Sequence, residues 1–359
     1  MENKKRILIT GAAGTVGSAL LKQIMQFEHD YDVTVFDIES RKTQRKFAKY
    51  NGQINCIYGD ITDPNDVETA CMYQDAVIHL AAIIPPLADK KTGLAHRVNV
   101  IGTQNIIRAL ETYSPGAFFC YASSISVYGD RLENPEINVN DPLKCSDGDY
   151  YAQTKIEAEA LLRNSRLDWT IFRLTAIMGL KNHKISPLMF HMPLDTAIEI
   201  ATPEDTARAF LHAVNKKSNL LGKTFNLSGG MACRTTYKEF LKRSFKLFGL
   251  GKLNFPANAF AKRNFHCGYY KDGDDLENLL HFRNDTLESY FTNVKLAIPG
   301  IQKFFTQIFR PAIKNGLLRQ SDPRKALRKK NISLVQRFFG SKDVDRMIST
   351  ATPRMSNNN

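Results

Sequence analysis

No stretch of the chain approaches the roughly 18 consecutive apolar residues of a membrane-crossing helix, so an integral membrane protein is not expected. No apolar segment of the secretory kind precedes the first β-like run, so the sequence predicts a cytoplasmic address. The cysteines at 56, 71, 120, 145, 233 and 267 are scattered, with no C-x-x-C pair and no metal-ligand spacing. They read as reduced core thiols, and neither a disulfide framework nor a metal site is expected. No internal repeat is visible, which argues against a solenoid. Acids are scarce in one place: between residues 301 and 330 nine bases face Asp322 alone, so this stretch carries +8 of the formal +13. Phe304, Phe305, Ile308 and Phe309 recur there at helical spacing, with Pro311 as an interruption. The sequence predicts a helix that packs this apolar stripe on the core and turns its bases to water; a lipid surface, RNA or steering of an anionic substrate are the alternatives.

What is present is an ordinary globular balance, 43% hydrophobic and 24% charged residues, in a chain long enough for one large α/β domain and a smaller one. Ile7 to Thr10 is a short apolar run, Gly11-Ala-Ala-Gly14-Thr-Val-Gly17 follows at once, and Val16 to Phe27 reads as a helix. Glycines where a strand turns into a helix form a dinucleotide-binding signature. Gly11 permits the turn, Gly14 lets backbone approach a pyrophosphate, and Gly17 lets the helix pack close, while N–H groups at Ala13, Thr15 and Val16 lie at the helix start. A second strand, Val33 to Phe36, ends in Asp37, where a carboxylate would meet adenine-ribose hydroxyls. That acid favours NAD; Arg41 and Lys42 keep NADP possible.

Further apolar runs, Ile54 to Tyr58, Ala76 to Leu80, Phe118 to Ala122, Trp169 to Arg173 and Thr224 to Leu227, alternate with helical segments Pro64 to Met72, His96 to Thr112, Tyr151 to Arg163 and Pro203 to Val214. The alternation predicts a doubly wound parallel α/β sheet of the Rossmann type, with ligands at the carboxyl ends of the strands. Asp60, Ala81, Ala82, Ser124 and Thr175 all fall at such ends. We expect a dinucleotide-binding domain over residues 1–180 with 203–230 returning to it, a smaller, mostly helical substrate-capping domain from 181–202 and 231–345, and a disordered tail at 346–359. Lys181 to Ile200 reads as irregular. The cluster of His266, Cys267, Tyr269 and Tyr270 near Asp272 reads as an ordered loop or a wall of the substrate pocket. Tyr151 and Lys155 are spaced i, i+4 and share one helix face. An adjacent ammonium and a nearby cationic dinucleotide are expected to lower the phenol's pKa from its usual value of about 10, and the helix N-terminus pushes the same way.

With these residues in hand, residues 5 to 230 resemble the extended short-chain dehydrogenase/reductase superfamily, the branch of NAD-dependent epimerases and dehydratases. The resemblance rests on Thr10-Gly-Ala-Ala-Gly-Thr-Val-Gly17, Gly59-Asp60-Ile61, His79-Leu-Ala-Ala82, Val98-Asn99-Val-Ile-Gly-Thr103, Ser123-Ser124-Ile-Ser-Val-Tyr-Gly129 and Tyr151-x-x-x-Lys155. It implies Tyr151 as acid/base, Lys155 as its tuner and nicotinamide-ribose ligand, and Ser124 as donor to the substrate oxygen. Asp60 and Ile61 would lie against adenine, Ala81 and Ala82 would line the dinucleotide channel, Asn99 would lie toward the nicotinamide, and Leu80 and Thr175 are further cofactor-binding candidates. Ser124 as a strand-end cap, Asp60 as a turn residue and Asn99 as a structural amide are the competing readings. A homodimer is implied by resemblance alone.

The departures bear on substrate. Ala176 stands where sugar-nucleotide members carry an asparagine after the strand-end arginine, here Arg173, and Ile125-Ser126 replaces the Asp-Glu pair of the dehydratases, so 4,6-dehydration is not expected. The expectation is an NAD(P)-dependent oxidoreductase acting at a secondary alcohol or ketone of a small-molecule substrate, anionic ones included. A nucleotide-sugar epimerase with tightly held cofactor and a non-catalytic NAD-sensing scaffold with a basic C-terminal region are the alternatives.

Overall fold

The computed structural model describes residues 4–27, 29–180 and 185–349. Seven parallel strands form one sheet, ordered edge to edge Lys223–Leu227, Asp168–Leu174, Phe118–Ser124, Ala76–His79, Lys5–Thr10, Tyr31–Asp37 and Ile54–Tyr58. Residues of one strand alternate between faces, so Ile7 and Ile9 enter one apolar layer and Leu8 the other. Thr15–Ile24 and Pro203–Val214 cover the first face with Leu20, Leu21, Ile24, Phe210 and Leu211. Pro64–Cys71, Gly102–Tyr113 and Tyr150–Arg163 cover the second with Val67, Ile106, Leu110 and Leu162. This is the doubly wound α/β fold read from the alternation. Sequence order reverses between Lys5–Thr10 and Ala76–His79, which opens a crevice at their carboxyl ends.

A helical region follows, built from Tyr237–Leu247, Leu287–Ala297, Gly300–Ile308, Arg310–Gln320, Asp322–Arg328, Ile332–Phe339 and Ser341–Ser349. Phe190, Phe240, Phe245, Phe260, Tyr290 and Phe291 make its main core.

Three expectations are corrected. Within the segment read as irregular, Ala197–Ala201 is a buried strand, paired antiparallel with Arg234–Thr236 and parallel with Ala176–Ile177. Glu199 interrupts its apolar pattern but is buried, taking hydrogen bonds from Ser228 Oγ, Arg234 Nε and the Tyr270 N–H. The helix Ser341–Ser349 runs past residue 345 into the expected tail, whose remainder, 350–359, lies outside the described residues, as do residues 181–184 of the capping segment. The apolar stripe of 301–309 does not pack on the core: Ile301, Phe304, Phe305, Ile308 and Phe309 are each at least half exposed. Pro311 sits in the first turn of the next helix, splitting the segment into two.

Candidate active site

The glycine turn is set by close approach. Gly11 has φ +67°, and a Cβ there would lie 2.7 Å from the Ala81 nitrogen across the crevice. A Cβ on Gly17 would lie 2.6 Å from the Ala12 Cα, so that glycine seats the helix on the turn. Gly14 differs. It is exposed, and a Cβ would meet only the Gly11 carbonyl oxygen, at 3.0 Å. It caps a helix with no acid in its first turn and no side-chain cap, which leaves the opening N–H groups directed outward as an anion-binding end.

Beside this turn runs a groove of about 370 Å³. Gly11, Ala13, Gly14, Asp37, Ile61, Leu80, Ala81 and Ala82 line it, together with Lys42, Val98 and three residues that no motif marks, Ser40, Thr43 and Ile83. Asp37 accepts hydrogen bonds from the Ala13 and Ile38 N–H groups, both at 2.9 Å, one on each oxygen. Each oxygen keeps acceptor capacity for a diol. Thr15, Val16, Gly17, Asp60, Asn99 and Thr175 do not line the groove. Thr15 is exposed and Gly17 buried in the first turn. Asp60 is exposed and accepts from the Thr62 N–H, the turn reading. Thr175 Oγ1 donates to the Glu199 carbonyl.

Asn99 is 1% exposed and its amide is consumed internally: Oδ1 accepts from the Ile83 N–H at 2.7 Å, and Nδ2 donates to the Ile83 carbonyl and to Thr154 Oγ1. It ties the crevice wall to the helix that carries Tyr151. A buried histidine continues the tie. His79 lies between Thr10 Oγ1 at 2.7 Å and Thr103 Oγ1 at 3.0 Å. Thr103 spends its hydroxyl proton on the Asn99 carbonyl, so it accepts from His79 Nε2–H, and Nδ1 accepts from Thr10. Thr10 Oγ1 in turn accepts from the Ala81 N–H. Burial pushes the imidazole down to about 3, which keeps this tautomer neutral. The only sequence sign of the network was a histidine at a buried strand end.

Ser124 ends the strand Phe118–Ser124, where its Oγ caps the next turn by accepting from the Ser126 N–H at 3.2 Å. It also hydrogen-bonds the Tyr151 hydroxyl. Tyr151 and Lys155 share the inner face of Tyr150–Arg163, whose N-cap Asp149 accepts from the Ala152 N–H; Tyr150 is half exposed and out of register. Lys155 Nζ lies 5.9 Å from the Tyr151 ring centre and donates to the Ala122 carbonyl at 2.7 Å and to Tyr121 Oη at 3.3 Å. Among the chain's own groups, burial outweighs what would lower the phenol. Burial pushes Tyr151 up, opposed by the Ser124 hydrogen bond, and pushes Lys155 down to about 7. One turn on, buried Glu159 accepts from Arg173 through both oxygens, at 3.0 and 2.8 Å, and from Ser123. The strand-end arginine therefore clamps the helix to the sheet.

Where the helical region meets this end of the sheet, a cavity of about 200 Å³ is lined by Pro85, Asp149, Ser146, His191, His266 and Arg337, among others. His266 Nδ1 pairs with Asp149 at 3.2 Å. Ser146 Oγ and Arg337 Nε are buried there without a hydrogen-bond partner. Among the described residues no cluster of His, Cys, Asp and Glu could hold a metal ion.

The model of the NAD dependent epimerase/dehydratase family matches residues 7–228, and the chain belongs to that family. Mouse 3 beta-hydroxysteroid dehydrogenase type 7 is 26% identical over 159 residues, 43% of this chain and 43% of the relative. The dTDP-glucose 4,6-dehydratase of Mycolicibacterium smegmatis is 31% identical over 163 residues, 44% of this chain and 48% of the relative. The chain thus spans less than half the length of these curated relatives. The crystal structure of UDP-glucuronic acid 4-epimerase from Bacillus cereus, in complex with UDP-glucuronic acid and NAD, superimposes with a TM-score of 0.66 at 20% identity, covering 82% of this chain and 100% of that one. That likeness shows the shared fold.

Proposed function

We propose that the protein is an NAD-dependent oxidoreductase that acts at a secondary alcohol or ketone carbon, with Tyr151 as the acid/base. One observation carries the reading: Ser124, at the carboxyl end of its strand, meets Tyr151 and Lys155, which stand on the helix that Asn99 ties to the groove wall. NAD bound in the groove would supply the hydride chemistry. The groove suits it, because exposed Gly14 presents backbone N–H groups where a Cβ would intrude, and Asp37 offers two carboxylate oxygens for the adenine ribose. Lys42 on the same wall keeps a 2′-phosphate admissible.

The chain's own residues manage the proton. Ser124 orients the substrate oxygen, and Tyr151 gives or takes the proton there as the carbon is reduced or oxidised. A positioned acid/base of this kind contributes about 10² to 10⁴ in rate. Burial favours the protonated phenol, the form that acts as donor. A cationic ring beside it, and Lys155 turned from Ala122 toward the site, would lower it for the reverse direction. The cavity beside Asp149 receives the substrate, with Ser146 and Arg337 as unspent donors for an oxygen-rich or anionic group.

Tyr151→Phe tests the assignment: turnover on a carbonyl panel, followed by NADH absorbance, should vanish while NAD affinity stays within a few-fold. Full activity in that variant removes Tyr151 from the chemistry. The epimerase reading draws support from membership of the NAD dependent epimerase/dehydratase family. Native mass spectrometry separates the two, since stoichiometric NAD retained through purification favours epimerisation and an empty, reversibly binding protein favours net redox.

A further inference from the structure

The helix Gly300–Ile308 is inside out. At 100° per residue, Ile301, Phe304, Phe305, Ile308 and the following Phe309 fall in one apolar arc, and that arc faces water: their exposures are 70%, 58%, 50%, 54% and 55%. The polar face looks inward. Lys303 and Thr306 are half-buried, and Gln302 and Thr306 border an apolar cavity of about 510 Å³ in place of packed core. Leu296, at the end of the preceding helix, is 79% exposed, and the exposed Leu180 and Ile313 line the cavity. Between Glu288 and Asp322 the sequence has no acid, but it has Lys295, Lys303, Arg310, Lys314 and Arg319.

We propose that this helix, with the start of Arg310–Gln320, lies in the surface of an anionic lipid bilayer, its phenylalanines and isoleucines below the headgroups and the exposed bases of the same stretch, Lys295 and Arg319, at headgroup level. An apolar face of this size is stabilised by moving out of water, and an acid-free basic surround adds attraction to anionic lipid. A second copy of the chain fits worse, since a two-fold pairing of this face sets base against base. RNA fits worse as well, because Leu296, Ile301 and Ile308 interrupt the rings of Phe304, Phe305 and Phe309 as a stacking surface. No described helix is long and apolar enough to cross a membrane, so the association is a surface one.

The test is co-sedimentation of the full chain with vesicles of phosphatidylcholine alone and of equimolar phosphatidylcholine and phosphatidylglycerol. The expected result is binding to the anionic vesicles, weakened by added salt and by Phe304→Ser with Phe305→Ser and Ile308→Ser, the latter by more than about tenfold. Lys295→Gln with Arg319→Gln should weaken it by roughly fivefold per base. All these side chains are exposed, so thermal unfolding and NAD titration should match the unaltered chain, and neither readout needs turnover. Absence of binding to anionic vesicles overturns the proposal. So does equal binding by the apolar variant, a dimer that the same variant splits, or tighter binding to single-stranded RNA than to vesicles. Should the apolar variant fail to fold, the base variant and the salt titration decide alone.

Discussion

Lys155 is an expensive residue for the fold, and replacing it should expose the cost. Its ammonium is 3% exposed, and burial holds it near 7 against an ordinary 10.5. At 1.36 kcal/mol per unit the interval corresponds to roughly 5 kcal/mol as an upper figure. Lys155→Met keeps most of the volume without the charge. It forfeits the hydrogen bonds to the Ala122 carbonyl and Tyr121 Oη, together about 2 kcal/mol. The variant should therefore be more stable than the unaltered protein at pH 7, by about 3 kcal/mol at most, while losing turnover. The pH dependence is the sharper signature. Between pH 7 and 10.5 the unfolded lysine binds more protons than the folded one, so raising pH through this window stabilises the unaltered chain by up to about 1.4 kcal/mol per unit. The variant lacks that gain, so its advantage should shrink steadily from pH 7 to pH 10. Urea unfolding at three pH values in that range measures it. Parallel stability profiles for the two proteins would refute the buried-lysine account.

Gly14→Val should fold normally, because the residue has φ −67° and is exposed, yet its side chain would enter the space over the helix N-terminus. Loss of charge-assisted N–H contacts worth about 1.5–3 kcal/mol should weaken NAD binding by more than about tenfold in calorimetry; unchanged affinity would move the pyrophosphate elsewhere. Asp37→Asn should lower NAD affinity and shift preference toward NADP, with Lys42 on the same wall, as read by paired titrations. His79, with a folded pKa near 3 against an ordinary 6.5, withdraws stability as pH falls below 6.5, by about 1.4 kcal/mol per unit down to pH 3. His79→Gln should be less stable at pH 7 but lose less between pH 7 and 5, and an equal loss would show that acid sensitivity arises elsewhere.

Much of the site was legible because its chemistry is written at short range. A glycine turn needs its residues within one strand-to-helix junction, and a phenol–ammonium pair needs only i, i+4 spacing on one helix. Strand alternation gave the parallel sheet for a similar reason, since period and length are local properties. The misses share a different cause. Lys181 to Ile200 reads as irregular, with Pro187 and Pro193 in it, and the strand Ala197–Ala201 carries a carboxylate, Glu199, whose burial only Ser228, Arg234 and Tyr270, distant in sequence, make tolerable. The hydrogen bonds of Asn99, Asp60 and Thr175 to Ile83, Thr62 and Glu199 are likewise partnerships that no motif names.

The charge states and the outer surface were beyond local reading altogether. Tyr151 and Lys155 sit at the spacing the sequence specified, but burial by the surrounding layers, a sum over residues from the whole chain, decides which way their pKa values move. The amphipathic pattern of 300–309 was equally plain, and a periodicity says that a helix has two faces without saying which one meets the protein. Sequence by itself determined the fold class, the dinucleotide turn and the identity of the catalytic candidates, because these depend on neighbours a few residues apart. Tertiary structure alone decided burial, hydrogen-bond partnership and the outward turn of Phe304 and Phe305, because each depends on what packs against a side chain from elsewhere in the chain.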